Sequence, residues 1–388
     1  MTLQPARRVS VLGATGSVGV QTLAVLSHLG LAAVCLTGGR NSRLLETQAR
    51  RFAPRAVALA DPEAARDLKT RLADTSVAVL SGPEGVCEAA ACEAADTVVA
   101  AITGLAGLRP VLAALRPGRR LALANKESLV CAGALVTAAV RAQGCTLLPV
   151  DSEHSALFQC LRGEDPRAVE RLVLTASGGP FFGLNRDALR RVTPAQALAH
   201  PTWRMGPKIS IDSATLMNKA LECLEAMYLF SVPMARIEVV VHRQSVVHSM
   251  VVFRDGATVA QLGPPDMRLP IQYALTFPAR VPSPLPPPDW AASPALTFAP
   301  PDEGAFPALA LAREAAARGG AAPAVLYGAN EAAVSLFLEN KIGFLDIAAL
   351  AAAALAAVPA AGGSLEDILE ADRAARAFAH TRRGKSPC

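Results

Sequence analysis

The 388-residue sequence predicts an α/β protein in three parts: an N-terminal parallel sheet wound with helices, a central α+β domain and a helical C-terminal domain. Three observations predict it. Between Arg8 and Val150, short apolar runs alternate with Ala-rich amphipathic stretches, the pattern of parallel strands buried under helices on both faces. After Asp151 that alternation stops, and Gly- and Pro-rich loops interrupt longer strands and helices. Beyond Phe306 the segments PALALAREAAARG, GANEAAVSLFLEN and DIAALAAAALAAV read as packed helices.

In chain order, VSVL, LAAVCLT, AVALA, TVVAAI, RLALA and TLLPV are the buried strands. The first runs into GATGSVG (Gly13–Gly19) and then the helix VGVQTLAVL. Glycines at G-x-x-G-x-x-G spacing, between a strand and a helix, let the backbone approach a pyrophosphate at the helix N-terminus. A tight turn without a ligand is the competing reading. With dinucleotide binding, this half is Rossmann-like. After the second strand comes GGRNS, with no acid to grip a ribose 2′-hydroxyl. Arg40 stands there instead, and a guanidinium suits a 2′-phosphate, so NADP is favoured over NAD.

Where RLALA ends, ANKESLV puts Asn125, Lys126 and Glu127 at the carboxyl end of a parallel strand, the side on which ligands lie in such sheets. TLLPV runs into VDSEHSALF. If the chain stays extended there, Asp151 and Glu153 point to the same side, and two carboxylates so close need a positive group between them. A helix cap and a solvated acid is the rival reading. ISIDSATLMNKALECLEAMYLF offers a third acid, on a helix capped by Ser213 or Asp212. There Asn218, Lys219 and Glu222 share one face, while Leu216, Met217, Leu221 and Leu224 are available to the core. Asp151, Glu153 and Glu222 would form an all-oxygen ligand set suited to Mg²⁺ or Mn²⁺ rather than zinc. Glu225 is expected to be solvated or ion-paired.

ASGGPFFG, at the end of LVLT, resembles an anion nest in which backbone N–H groups and Ser177 hold phosphate oxygens. With Ser213, Asn218 and Lys219 it could grip a phosphomonoester; a glycine turn with no ligand is the alternative. In HPTWRMGP, Trp203 and Met205 lie on a loop able to close over a ligand. His242 and His248, on a strand-like run, are expected to be structural hydrogen-bonding groups. The prolines of VPSPLPPPDW mark a linker.

Composition excludes several classes. With 52% hydrophobic and 18% charged residues the chain can bury a large core, and a net charge of +5 carried by scattered Lys and Arg offers no basic stripe for nucleic acid. Eight cysteines without a C-x-x-C pair read as reduced thiols. The N-terminal MTLQPARRVSVLG leads into a strand rather than a signal segment, and the apolar run Ile347–Val358 is too short for a bilayer. A cytoplasmic chain with no membrane partner is expected.

Taken together, GATGSVG, ANKESLV, VDSEHSALF, ASGGPF, HPTWRMGPKISIDSATLMNKALE, HRQSVVHSM and GPPDMR resemble the 1-deoxy-D-xylulose 5-phosphate reductoisomerases, from about residue 8 to residue 350. The resemblance implies a cytoplasmic homodimeric oxidoreductase of isoprenoid precursor synthesis, with residues 1–150 binding NADPH, 151–281 catalytic and dimerising, 282–301 a linker and 302–388 helical. It implies that Asp151, Glu153 and Glu222 bind the metal. Lys126, Ser152 and Glu153 meet the hydroxyls and ketone of a small phosphorylated sugar. Ser177, His200, Ser213, Asn218 and Lys219 meet chiefly its phosphate end, and Trp203 and Met205 form a flap. Thr15, Gly16, Ser17, Val18, Gly39, Arg40, Asn41, Asn125, Glu127 and Gly206 match NADPH contacts. Lys126, Asp151, Glu153 and Glu222 are thus the implied catalytic set, for a metal-dependent skeletal rearrangement followed by NADPH reduction. Two places depart from the pattern: Arg243 stands where a proline is frequent, and the loop near Arg162–Glu170 is short. Neither is expected to touch a ligand.

Two rivals remain open. A semialdehyde or acyl-phosphate reductase shares the glycine loop but needs a cysteine nucleophile, for which Cys160 is the least poor candidate. A nucleotide-sensing regulator would bind NADPH without consuming it and leaves the three carboxylates unexplained.

Overall fold

Seven strands pair in parallel in the first of the two units into which the chain divides, Met1–Ser128 with Val136–Ser155 and Asp266–Pro286. The computed structural model describes residues 5–199, 206–292 and 295–382. Strands and helices alternate as β1 (Arg8–Leu12), α1 (Ser17–Leu29), β2 (Ala32–Gly38), α2 (Ser42–Phe52), β3 (Ala56–Leu59), α3 (Pro62–Arg71), β4 (Ala78–Ser81) and α4 (Gly82–Ala91). Then come β5 (Thr97–Ala100), α5 (Leu108–Ala114), β6 (Arg120–Leu123), α6 (Lys126–Gln143), β7 (Thr146–Pro149) and α7 (Ser152–Cys160).

The strand order is β4-β3-β2-β1-β5-β6-β7. The chain leaves β1 toward β2 on one side and returns to β5 on the other, so the topological switch point lies at the end of β1, where the glycine loop begins. Six of these strands were legible as buried runs. β4 was not, because it is an edge strand whose four residues are all at least partly exposed. Residues Asp266–Pro286, which the expected boundaries divide between the central part (to 281) and the linker (from 282), belong to this unit by their contacts. Ala6 N–H donates to Leu275 O at 3.0 Å and the Arg120 guanidinium to Phe277 O at 2.7 Å.

The second unit, Leu129–Leu135 with Ala156–Pro265 and Pro287–Cys388, holds a smaller mixed sheet and the C-terminal helices. Its elements are β8 (Val169–Ala176), α8 (Arg186–Leu189), α9 (Pro194–Leu198), α10 (Pro207–Ala214), α11 (Met217–Leu229), β9 (Ile237–Val241), β10 (Val247–Phe253) and β11 (Thr258–Leu262). α12 (Arg268–Thr276) belongs to the first unit and is followed by α13 (Ala308–Arg318), α14 (Ala322–Leu338), α15 (Phe344–Ala357) and α16 (Leu365–Arg382).

The sheet order is β11-β10-β8-β9, with β8 and β9 parallel and β10 antiparallel to β8 and β11. α14 is buried along nearly its whole length and forms the centre of the helical part. Among the described residues no helix is long and apolar enough to cross a membrane.

Candidate active site

In the first unit the loop after β1 is shaped by glycines that nothing else could replace. Gly13 has φ +84°, and a Cβ there would lie 2.5 Å from Ala101 O; a Cβ on Gly19 would lie 2.1 Å from Gly13 O. The loop is pinned by Ala14 N–H on Thr37 O at 2.6 Å and by the Gln48 amide on Ala14 O at 2.8 Å. Thr15, Gly16, Ser17 and Val18 therefore sit at the N-terminus of α1, on the ligand side of the sheet.

Gly39, Arg40 and Asn41 leave the neighbouring β2, where a Cβ on Gly38 would meet Thr15 Oγ1 at 2.9 Å. Arg40 is largely exposed, 3.5 Å from Asp61. The Ala64 amide, and after it the Glu63 amide and Arg40, hold Asp61 below the usual carboxylate range against partial desolvation. Asn41 caps α2, accepting from Leu44 N–H at 3.1 Å. Asn125 is buried, and its amide donates to Ile102 O at 2.6 Å, Gly104 O at 3.0 Å and Glu127 Oε2 at 2.8 Å. It braces the loop after β5.

The acids after β7 differ from the strand geometry expected of them. β7 stops at Pro149 and α7 begins at Ser152, so Glu153 is already helical and Asp151 is the residue whose carbonyl accepts the first helical bond, from Ser155 N–H at 2.8 Å. What brings them to one place is a strand-to-helix turn, not i, i+2 alternation. Within the protein itself a positive group already stands beside Asp151: Lys126, the first residue of α6, whose ammonium is ion-paired with it. Ser152 Oγ donates to Glu153 Oε2 at 2.5 Å.

In the second unit, α10 and α11 are two helices, not one capped by Ser213 or Asp212. Those two residues close α10, and Leu216, in a left-handed conformation at φ +60°, starts α11. The facial pattern of α11 holds as expected. Asn218 Nδ2 donates to Glu222 Oε1 at 2.5 Å and Lys219 pairs with Glu222 Oε2, while Leu216, Met217, Leu221 and Leu224 are buried. Glu222 is fully buried at 0% exposure. Glu225 is buried too, at 1%, so of the two expectations for it, solvated or ion-paired, burial removes the first: α11 is buried on both sides through most of its length.

Ser177, Gly178 and Gly179 follow β8, the two glycines at φ +76° and +62°. A Cβ on Gly179 would lie 2.8 Å from Ser213 O, so the nest and the end of α10 meet. Gly206 is the N-cap of α10. His200, Trp203 and Met205 lie outside the described residues.

His242 and His248 are structural, as expected, but a turn separates them. His242 lies just past β9 and His248 on β10. Burial pushes His248 down to about 4. Cys160 is buried and burial pushes its thiol up to about 11, which removes it as a nucleophile at neutral pH.

Family models of 1-deoxy-D-xylulose 5-phosphate reductoisomerase match residues 9–133, and models of its C-terminal domains match 147–230 and 262–378. The enzyme of that name from Chloroherpeton thalassium is 46% identical over 379 residues, covering 97% of this chain and 98% of that one. Its counterpart from Rhodospirillum centenum is 52% identical over 376 residues, covering 96% and 93%.

The chain belongs to the 1-deoxy-D-xylulose 5-phosphate reductoisomerase family.

The solved reductoisomerase from Zymomonas mobilis, in complex with NADPH, superposes with a TM-score of 0.91 at 47% identity, covering 97% of this chain and 99% of that chain. A second reductoisomerase structure, in complex with NADPH, fosmidomycin and magnesium, superposes at 0.92 with 42% identity, covering 97% and 98%. As a member of this family the chain is an oxidoreductase with a Rossmann-like half. One neighbour of the Ser177–Gly179 turn escaped sequence reasoning. Arg243, set aside as a surface departure from the reductoisomerase pattern, donates from Nη1 to Ser177 O at 3.0 Å and to Gly179 O at 2.6 Å. The only signal in the sequence was the departure itself.

Proposed function

We propose that the chain converts 1-deoxy-D-xylulose 5-phosphate to 2-C-methyl-D-erythritol 4-phosphate by skeletal rearrangement and NADPH-dependent reduction, with Asp151, Glu153 and Glu222 holding one Mg²⁺ or Mn²⁺. The observation that carries it is Glu222: a carboxylate at 0% exposure, flanked by Lys219 and Asn218, in a chain matched along nearly its full length by reductoisomerases. A buried acid with that company is not a solvated surface charge. The donor set, three carboxylates without sulfur or imidazole, fits a hard divalent cation. The glycine loop and Arg40 fit a dinucleotide bearing a 2′-phosphate.

When bound, the cation supplies Lewis acidity at the substrate's ketone and adjacent hydroxyl oxygens, and the cofactor supplies hydride. Lys126, fixed by Asp151, adds positive charge where the oxyanion develops. Ser152 steadies the Glu153 carboxylate through its hydroxyl. Ser177, Ser213, Asn218 and Lys219, with His200, grip the phosphate, and that remote binding orients the reacting carbons. Trp203 and Met205 cover the site. Thr15 to Val18, Gly39 to Asn41, Asn125, Glu127 and Gly206 contact NADPH, and Asn125 also braces the loop after β5. The working unit is a cytoplasmic homodimer, with residues 1–150, 151–281, 282–301 and 302–388 as its nucleotide, catalytic, linker and helical parts.

Loss of NADPH absorbance on adding 1-deoxyxylulose 5-phosphate, with and without Mg²⁺ or Mn²⁺, tests the reading. Turnover that needs both substrate and metal is expected; NADPH binding without consumption points instead to a regulator.

A further inference from the structure

β8 and β9 run parallel and end together, with Ala176 opposite Val241, so the chain leaves both strands at the same edge. One exit is the Ser177–Gly179 nest; the other is the turn His242–Val246. That turn is rigid for reasons its sequence explains. His242 Nε2 accepts from Val246 N–H and Val247 N–H, both at 3.2 Å, so the ring proton is on Nδ1, which donates to Thr297 O at 2.9 Å. His242 N–H donates to Ala176 O at 2.7 Å, and Ser245 takes a left-handed φ of +51° to close the turn.

The turn delivers Arg243 to the nest. One guanidinium nitrogen lies 3.0 Å from Ser177 O and 2.6 Å from Gly179 O, and the guanidinium carbon sits 5.3 Å from the centre of the Phe182 ring. Two carbonyls converging on one point repel unless a cation separates them, and here one does. A trans peptide is planar, so turning the Ser177 carbonyl toward Arg243 turns the Gly178 N–H to the opposite side.

We propose that Arg243 is a positioning residue for the phosphate end of the substrate. By binding both carbonyls it fixes the Ser177 backbone and the direction of the Gly178 N–H, and it sets a permanent positive charge behind the anion site. The brace is made by the side chain of Arg243 alone, whose guanidinium supplies both donors. The inference rests on the phosphate role proposed for Ser177.

The test is Arg243→Met in the full chain with NADPH and Mg²⁺. KM for 1-deoxyxylulose 5-phosphate and the inhibition constant of inorganic phosphate each rise about tenfold, with kcat changed less than about twofold and the Kd of NADPH unaltered. Arg243→Lys recovers part of the loss, since both bonds are donated by a single nitrogen. Unchanged constants for substrate and phosphate overturn the proposal, as does a parallel fall of kcat, NADPH affinity and melting temperature, which marks a purely structural role. If Arg243→Met does not fold, Arg243→Gln is measured instead: a raised phosphate constant supports the proposal and an unchanged one overturns it. Phosphate affinity, read by calorimetry, needs no turnover. An unaltered chain that is inactive on 1-deoxyxylulose 5-phosphate therefore defeats the proposed function without deciding the role of Arg243.

Discussion

Lys219 and Asn218 hold Glu222 between a cation and an amide, and both contacts come from neighbouring positions on the same helix. A buried carboxylate so held has a fixed orientation. Glu222→Gln keeps the shape and loses the charge. We expect metal-dependent turnover to fall by at least about a hundredfold, with NADPH affinity unchanged by fluorescence titration; undiminished turnover removes Glu222 from the ligand set. His248 gives a second residue-scale outcome. Burial pushes it from 6.5 down to about 4, so below about pH 6.5 the unfolded chain binds a proton that the folded chain refuses. Stability therefore declines as pH falls from 6.5 toward 4, by about 3 kcal/mol in all from this residue. Urea midpoints at pH 7 and pH 4.5 should converge in His248→Gln and stay apart in the unaltered chain.

Among the elements, the glycine loop and α10 make opposite kinds of demand. The loop needs space: Gly19→Ala drives a methyl to 2.1 Å from Gly13 O, so the Kd of NADPH should rise by about tenfold or more while secondary structure by circular dichroism persists. α10 needs partners. Asp212, buried in that helix, accepts from the Asn330 amide on α14 at 2.8 Å and pairs with Lys208 at 2.6 Å, and Lys208 reaches Glu331 at 2.9 Å. Asn330→Leu should cost about 2 kcal/mol in urea unfolding, because it leaves a buried carboxylate short of a donor.

How much of this was legible follows from the same contrast. The nucleotide half could be read because its signals are local: a buried run, a glycine spacing, a helix start. The Asn218–Lys219–Glu222 face was equally local, at helical spacing. β4 gave no buried run to read, and solvation stayed open for Glu225 because periodicity cannot see a helix buried on both sides. Arg243 meets Ser177 across 66 positions of chain, through two strands that happen to end together, and no spacing rule reaches that far.

For the molecule as a whole, the thiols and the metal make contrasting predictions. Cys35 and Cys223 are pushed up to about 12, chiefly by burial, as Cys160 is to about 11. Iodoacetamide at pH 7 should accordingly leave turnover within about twofold of the untreated enzyme; inactivation would revive a thiol mechanism. Sedimentation should give twice the mass of one chain, as the proposed homodimer requires. The turn between β7 and α7 bears on the proposed metal ligands. Glu153 lies in the first turn of α7 and Asp151 just before it, where the partial positive charge of a helix start already favours acids, and Lys126 adds a full one. That compensation needs no bound ion. A chelated preparation is accordingly expected to stay folded by circular dichroism, to lose its catalysis, and to regain it on simple readdition of magnesium or manganese, with no refolding cycle.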